Sequence, residues 1–224
     1  MADLPLFEIS GFEIVLDQIV NILIFEELNQ QQQAINDGKD PADYSWNTDK
    51  ERYDNLSNEY DLTIPLVNVW YESSSYDPKS SLKNNSRIDL ANYNIDIYCS
   101  GSASQDGLVT GLTEAAKKVN RVVRQIYFIL ANAKYNYTLG LPVVNPLDGK
   151  LIKFISNINF LDTTKFQPVN SLESKGNVVA ARMRLQVKIA EPIPDGTGVP
   201  LQEYFIKVIL ENGTDNFETS IDGG

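Results

Sequence analysis

Two aspartates on one apolar segment, Asp89 and Asp96, are the first residues whose type and proximity can do chemistry. A carboxylate pair can bind a divalent cation or divide acid and base roles, provided the two side chains converge. A spacing of seven on a strand sends them to opposite faces, so the expectation is two separate, solvated strand acids. Asp195-Gly196-Thr197-Gly198 has the composition of a phosphate-loop fragment, but no helical pattern follows it, which makes it a turn. Cys99 stands alone on an apolar strand; it has no disulfide partner within the chain and is expected to be a small buried hydrophobe. Histidine is absent. That removes the common zinc and non-haem iron sites, Ser-His-Asp and Cys-His catalysis, and histidine proton transfer. No catalytic residue, metal-ligand set or cofactor motif emerges, and no cofactor is implied.

Cations fall in two short rows. Lys117, Arg121 and Arg124 share one face of a helical pattern, and Arg182, Arg184 and Lys188 share one face of a strand pattern. Each row is expected to be solvated, or to meet acids of the same or an adjacent subunit. The formal charge of −11, from 30 acids against 19 bases, argues against a general affinity for nucleic acid or for an anionic membrane surface. The acids concentrate in residues 37–61 and 211–224. The opening MADLPLFEIS lacks a basic n-region, so no signal peptide is expected. No apolar run approaches the ~20 residues that a membrane-spanning helix needs.

The elements that would position these residues are read from periodicity. In residues 106–133 the apolar positions Leu108, Leu112, Ala115, Val119, Val122, Ile126, Ile129 and Ala133 repeat at 4-3-4-3 spacing, which predicts a long central helix capped by Asp106 or Ser104. Residues 12–28 predict a second helix, apolar over more than one face, with one side on its own sheet and another on a neighbouring subunit. Residues 34–61 are polar but hold Tyr44, Trp46, Tyr53 and Tyr60, and read as an insertion that docks on another chain. Strands are predicted at 62–71, with Pro65 marking an edge or bulge, and at 87–99, with a bulge at Ala91–Asn92 where the apolar phase changes. An arm at 134–150 precedes a strand at 151–160 with Ile152, Phe154, Ile158 and Phe160 on one face; 161–177 is irregular. Residues 178–189 alternate best, with Val179, Ala181, Met183, Leu185, Val187 and Ile189 facing one way. A last strand is predicted at 201–210 and a mobile acidic tail at 211–224. The expected architecture is one α+β domain over residues 1–210: a mainly antiparallel β-sheet packed against a long central helix and an N-terminal helix.

The order of these elements, and above all the strand YNIDIYCSG running through a polar turn into the helix DGLVTGLTEAAKKVNRVVRQI, resembles the tail-terminator (tail-completion) proteins of long-tailed bacteriophages. The likeness covers residues 12–28, 62–71, 87–99, 106–133, 151–160 and 178–189. It implies a structural, non-enzymatic neck subunit of the virion, assembled in the host cytoplasm. Such a protein forms a ring, six-fold in that family, that caps the tail tube. Tail tube, sheath and connector proteins would be its partners, and genomic DNA would pass through it unbound. The insertion, the arm and the last strand depart from the pattern. Another connector or baseplate subunit is the alternative reading, and a small-molecule enzyme a third. On the ring reading, the expected contact residues are Tyr44, Trp46 and Tyr53 of the insertion, Phe12 and Ile19 of the first helix, and the row Arg182, Arg184 and Lys188.

Overall fold

Alternation in residues 178–189 makes a strand with one apolar and one polar face, and the main sheet is built around it. The computed structural model describes residues 11–51, 62–76, 86–104, 108–140, 143–144, 151–152, 155–166 and 177–192. The elements in chain order are α1 (Gly11–Asn36), β1 (Asn47–Lys50), β2 (Leu66–Tyr76), β3 (Ser86–Gly101), α2 (Gly111–Leu130), β4 (Val143–Val144), β5 (Leu151–Ile152), β6 (Ile155–Phe166) and β7 (Asn177–Pro192), with a 3-10 turn at Pro41–Tyr44. Strand order in the five-stranded sheet is β1-β2-β3-β7-β6, while β4 and β5 form a small pair of their own. Only β1–β2 is parallel; the other pairings are antiparallel. The described fold is therefore α+β, a mainly antiparallel sheet against two helices.

Both helices cover the same face. α1 buries Val15, Leu16, Ile19, Ile22 and Leu23, and α2 buries Ala115, Val119, Val122, Ile126, Ile129 and Leu130. Beneath them lie Val67, Val69, Tyr93, Ile95, Ile97, Met183, Leu185 and Val187 in one continuous core. Burial of the α2 side chains contributes on the order of 10 kcal/mol gross, well beyond what propensity gives a helix of this length. Cys99 is fully buried among them, and burial pushes its thiol pKa up to about 12.

α2 is shorter than the pattern predicted. It starts after Thr110, whose hydroxyl accepts from the Thr113 N–H, so Ser104 does not cap it; Asp106, the other expected cap, lies outside the described residues. Ser104 Oγ instead accepts from Val109 N–H in the preceding turn. Leu108 and Leu112 are exposed, so the buried stripe begins at Ala115, and α1 with 26 residues is the longer helix. The reason for the late start is local. Gly111 meets the end of β3 so closely that a Cβ on it would lie 2.6 Å from the Gly101 carbonyl oxygen, and one on Gly101 would lie 2.3 Å from the Gly111 oxygen.

Three other expectations need correction. The bulge lies opposite the predicted place, on β2: pairing shifts between Tyr71 and Ser73, leaving Glu72 as the extra residue while β3 runs straight against β7. Residues 161–166 continue β6 and are not irregular. Much of the supposed insertion and arm belongs to the body of the fold. α1 runs on to Asn36, β1 adds a parallel strand, and Trp46 is a core residue with 2% exposure. In the arm, Tyr135 and Leu139 are buried; Tyr135 OH bonds Glu26, and Gln18 Nε2 donates to the Leu139 carbonyl at 2.8 Å. Pro65 precedes β2, and its carbonyl accepts from Asn47 N–H at 2.8 Å, so β2 is an inner strand. Tyr53, Asp195–Gly198 and the segments 201–210 and 211–224 lie outside the described residues.

Candidate functional site

With both helices on one side, the other side of the sheet carries its own chemistry. Strand register brings Asn68, Asp96, Arg182 and Thr164 into one cross-sheet row, and Trp70, Asn94, Arg184 and Asp162 into the next. Asp96 is the centre of the first. Arg182 Nε donates to its Oδ1 at 2.7 Å and Nη2 to Oδ2 at 2.8 Å, and Trp70 Nε1 donates to Oδ2 at 3.0 Å. The carboxylate is 3% exposed, so three charge-assisted bonds replace its water. The Arg182 guanidinium lies 5.0 Å from the Trp70 ring centroid and 5.8 Å from that of Phe166, where ring faces attract it. Its hydrogen bonds to Asp96 hold the Arg182 pKa above its ordinary value.

Arg184 is held more loosely, 3.4 Å from Asp162 and 3.7 Å from Glu72, the bulged residue of β2. Glu72, Arg182 and Arg184, with Thr164 and Phe166, line a shallow groove of about 400 Å³. Under the Trp70–Arg184 row Asn94 is fully buried, and both its amide nitrogen and oxygen lack a hydrogen-bond partner. At one end the face turns apolar, where Leu62, Leu66 and Val178 are buried together with Tyr98 against them. Burial, then the Asp96 charge, push the Tyr98 hydroxyl up to about 12. Both shifts, at Tyr98 and at Arg182, lead away from neutrality. The arrangement is a polar sheet face whose main ion pair is already satisfied within the subunit.

The anticipated contact residues divide. Arg182 and Arg184 meet acids of their own subunit, and Lys188 shares their face, in register with Leu90 and Asn157. Ile19 and Trp46 are corrected: both are enclosed in the subunit's own core and offer nothing to a neighbour. Phe12 is half-buried, stacked on Tyr71 at 5.1 Å, and its carbonyl accepts from Tyr93 OH at 2.9 Å. Tyr44 is half-exposed at the end of the 3-10 turn. Asp89 and Asp96 do take opposite faces, but both are buried and not solvated. Sequence reading missed Asp96 as the partner of Arg182, and Glu27, whose Oε1 accepts from the Trp46 backbone N–H at 3.0 Å and from Gln31 at 2.8 Å. Both acids sit beside large aromatics in the sequence pattern, but only register or a tertiary turn joins the pairs.

Among the described residues no three His, Cys, Asp or Glu side chains gather as a metal site, and no helix is long and apolar enough to cross a membrane. Compared with known proteins, the chain matches no family model and no curated protein.

Proposed function

We propose that this chain is a tail-terminator or neck subunit of a long-tailed bacteriophage, a structural protein that rings the end of the tail tube beneath the head connector. The observation that carries the reading is the element order in which β3 is followed by α2, preceded by an N-terminal helix and followed by the antiparallel pair β6–β7. The net charge of −11 is compatible with a channel that DNA slides through, since an acidic surface repels phosphate over about a Debye length. Arg182 is paired within its subunit, and among the described residues of the α2 ridge Arg121 is paired to Asp43. Ring closure needs a heterologous contact repeated around an axis.

Native mass measurement of the protein, alone and with isolated tail tubes, is the test. A closed ring on the tube end is the expected result; a monomer that ignores tubes sinks the proposal. Duplex DNA should bind weakly. Tight binding at low salt that collapses steeply with added salt would indicate several phosphate contacts and favour a DNA-gripping connector instead.

A further inference from the structure

The face of the sheet away from the helices holds one side chain whose polar atoms are idle. Asn94 is fully buried, and neither its amide nitrogen nor its oxygen has a hydrogen-bond partner. An amide enclosed in this way costs free energy that an apolar side chain of similar size would not. β3 passes this point without a slip against β7, so Asn94 shares the open face with Asp96. Strand order shows what encloses it. β3 lies between β2 and β7, yet Arg184 of β7 reaches Glu72 of β2, with Nη2 3.7 Å from Oε2. Two strand spacings, roughly 10 Å, separate those backbones, and Asn94 is the β3 residue paired with Arg184. The ion pair therefore passes over Asn94, and the bulge in β2 is what supplies its acid. It is a weak cover. Glu72 lies beyond hydrogen-bond distance, whereas Arg184 Nη1 donates at 3.4 Å to Asp162 of β6, on the other side.

We propose that Asn94 and the groove beside it bind a neutral saccharide, with Arg184 as the movable cover of the site. Swinging Arg184 off Glu72 and fully onto Asp162 breaks no hydrogen bond and uncovers the amide. An amide presents a donor and an acceptor side by side in one plane, and each sugar hydroxyl is both, so two neighbouring hydroxyls satisfy Asn94 together. Thr164 adds a third polar group and Phe166 an apolar wall for the C–H face of a sugar ring, in a groove of about 400 Å³, within the range of small-ligand clefts. Acids and bases alternate over this face, Asp96 with Arg182, then Glu72 and Asp162 around Arg184. Such a surface favours neither a polyanion nor a polycation. A peptide strand would pair through backbone groups, which a sheet offers at its edges and not on its face. The site neither needs a ring nor opposes one.

The experiment follows the Asn94 side-chain amide and the Trp70 indole N–H of the full chain by nuclear magnetic resonance. Maltose, cellobiose or lactose is added, with inorganic phosphate as the charged comparison, and the Asn94 signals are assigned by their loss in Asn94→Val. Both groups should shift saturably with at least one disaccharide and hold still with phosphate, and in Asn94→Val the Trp70 shift should vanish. Glu72→Gln, which loosens the cover, should tighten binding about two- to five-fold. Asp162→Asn, which removes the second anchor of Arg184, should weaken it by a similar factor. Circular dichroism confirms that each variant folds. No shift with any of the three sugars up to their solubility overturns the site, and so does an Asn94→Val protein that binds as the parent does. Phosphate acting as strongly as the sugars overturns the saccharide. Affinity moving the same way in Glu72→Gln and Asp162→Asn overturns the cover. The tail-terminator reading stands or falls separately, on native mass.

Discussion

Arg182 and Asp96, on directly paired positions of β7 and β3, are joined by two parallel hydrogen bonds at 2.7 and 2.8 Å. The carboxylate is almost fully shielded from water, so removing the guanidinium leaves a buried charge held only by Trp70 Nε1 and the Tyr98 hydroxyl. Arg182→Ala should cost about 2–3 kcal/mol in urea unfolding. Arg182→Ala with Asp96→Ala together should cost less than the two single changes added, a coupling a double-mutant cycle reads directly. Additive single effects would mean that the pair is spatial coincidence.

The backbone contact between Gly101 and Gly111 leaves no space for a methyl group. Gly101→Ala and Gly111→Ala should each destabilise by about 1–3 kcal/mol through overpacking. Gly38→Ala serves as the control: its φ of +69° makes alanine strained, but nothing lies within 4 Å, so the loss should be about 1 kcal/mol. Equal losses at all three positions would remove close packing as the cause.

Trp46 tests whether the segment after α1 is core or attachment. Trp46→Ala should cost about 3–5 kcal/mol, as for other buried large aromatics. Tyr44→Ala, on a half-exposed ring two residues away, should stay near or below 1 kcal/mol. Deleting residues 37–50 should unfold the subunit, because it removes both Trp46 and β1.

Burial raises the Glu27 pKa above its ordinary 4.5, and the bonds from Trp46, Ser45 and Gln31 only partly offset this. A carboxyl with a raised folded pKa costs stability as pH climbs from the unfolded value through the folded one, and costs nothing below both. Glu27→Gln keeps an oxygen for the Trp46 N–H and loses the charge. It should match the parent at pH 4 and exceed it at pH 7 by no more than about 1 kcal/mol, solvent screening being substantial here. Glu27→Ala strands the N–H and should lose about 1–2 kcal/mol at either pH. Thermal unfolding at both pH values decides; a parent that gains on Glu27→Gln as pH rises reverses the sign and the argument.

Cys99 adds an alkaline counterpart. With its folded pKa near 12 against an ordinary 9.0, the native state keeps the thiol protonated, and stability should fall as pH rises above 9. A thiol reagent should label it only as fast as the protein unfolds, and rapid native labelling would contradict the burial.

The parts of the fold legible in sequence are those where side chains repeat with the backbone. β7 shows this best, since Val179 to Ile189 and Arg182 to Lys188 occupy the predicted faces. β1 was invisible because Asn47–Lys50 joins β2 through its backbone, and its own side chains carry no pattern. Trp46 was misread for a related reason: one large aromatic in a polar stretch has no periodic neighbours to place it inward. The phase change near Ala91 marks no bulge in β3, which pairs with β7 without a slip; Ile88 and Leu90 lie on the face opposite Tyr93, and the extra residue is Glu72 of β2. The Asp96–Arg182 pair depends on a register linking residues 86 apart, which one chain read alone does not encode.

The two pairing slips in β6, at Ser156 and at Leu161, bear on how copies of the chain can meet. Among the described residues β6 is the outermost strand of its sheet, so its outward N–H and C=O groups would invite strand-by-strand growth. Each slip turns the backbone comb out of line, leaving only Asn157 to Phe160 and Asp162 to Phe166 as unbroken runs. At the opposite margin β1 offers just four residues. The sheet is thereby guarded against fibrous extension at both margins, and lasting association is left to side-chain surfaces, where a single substitution can tune it.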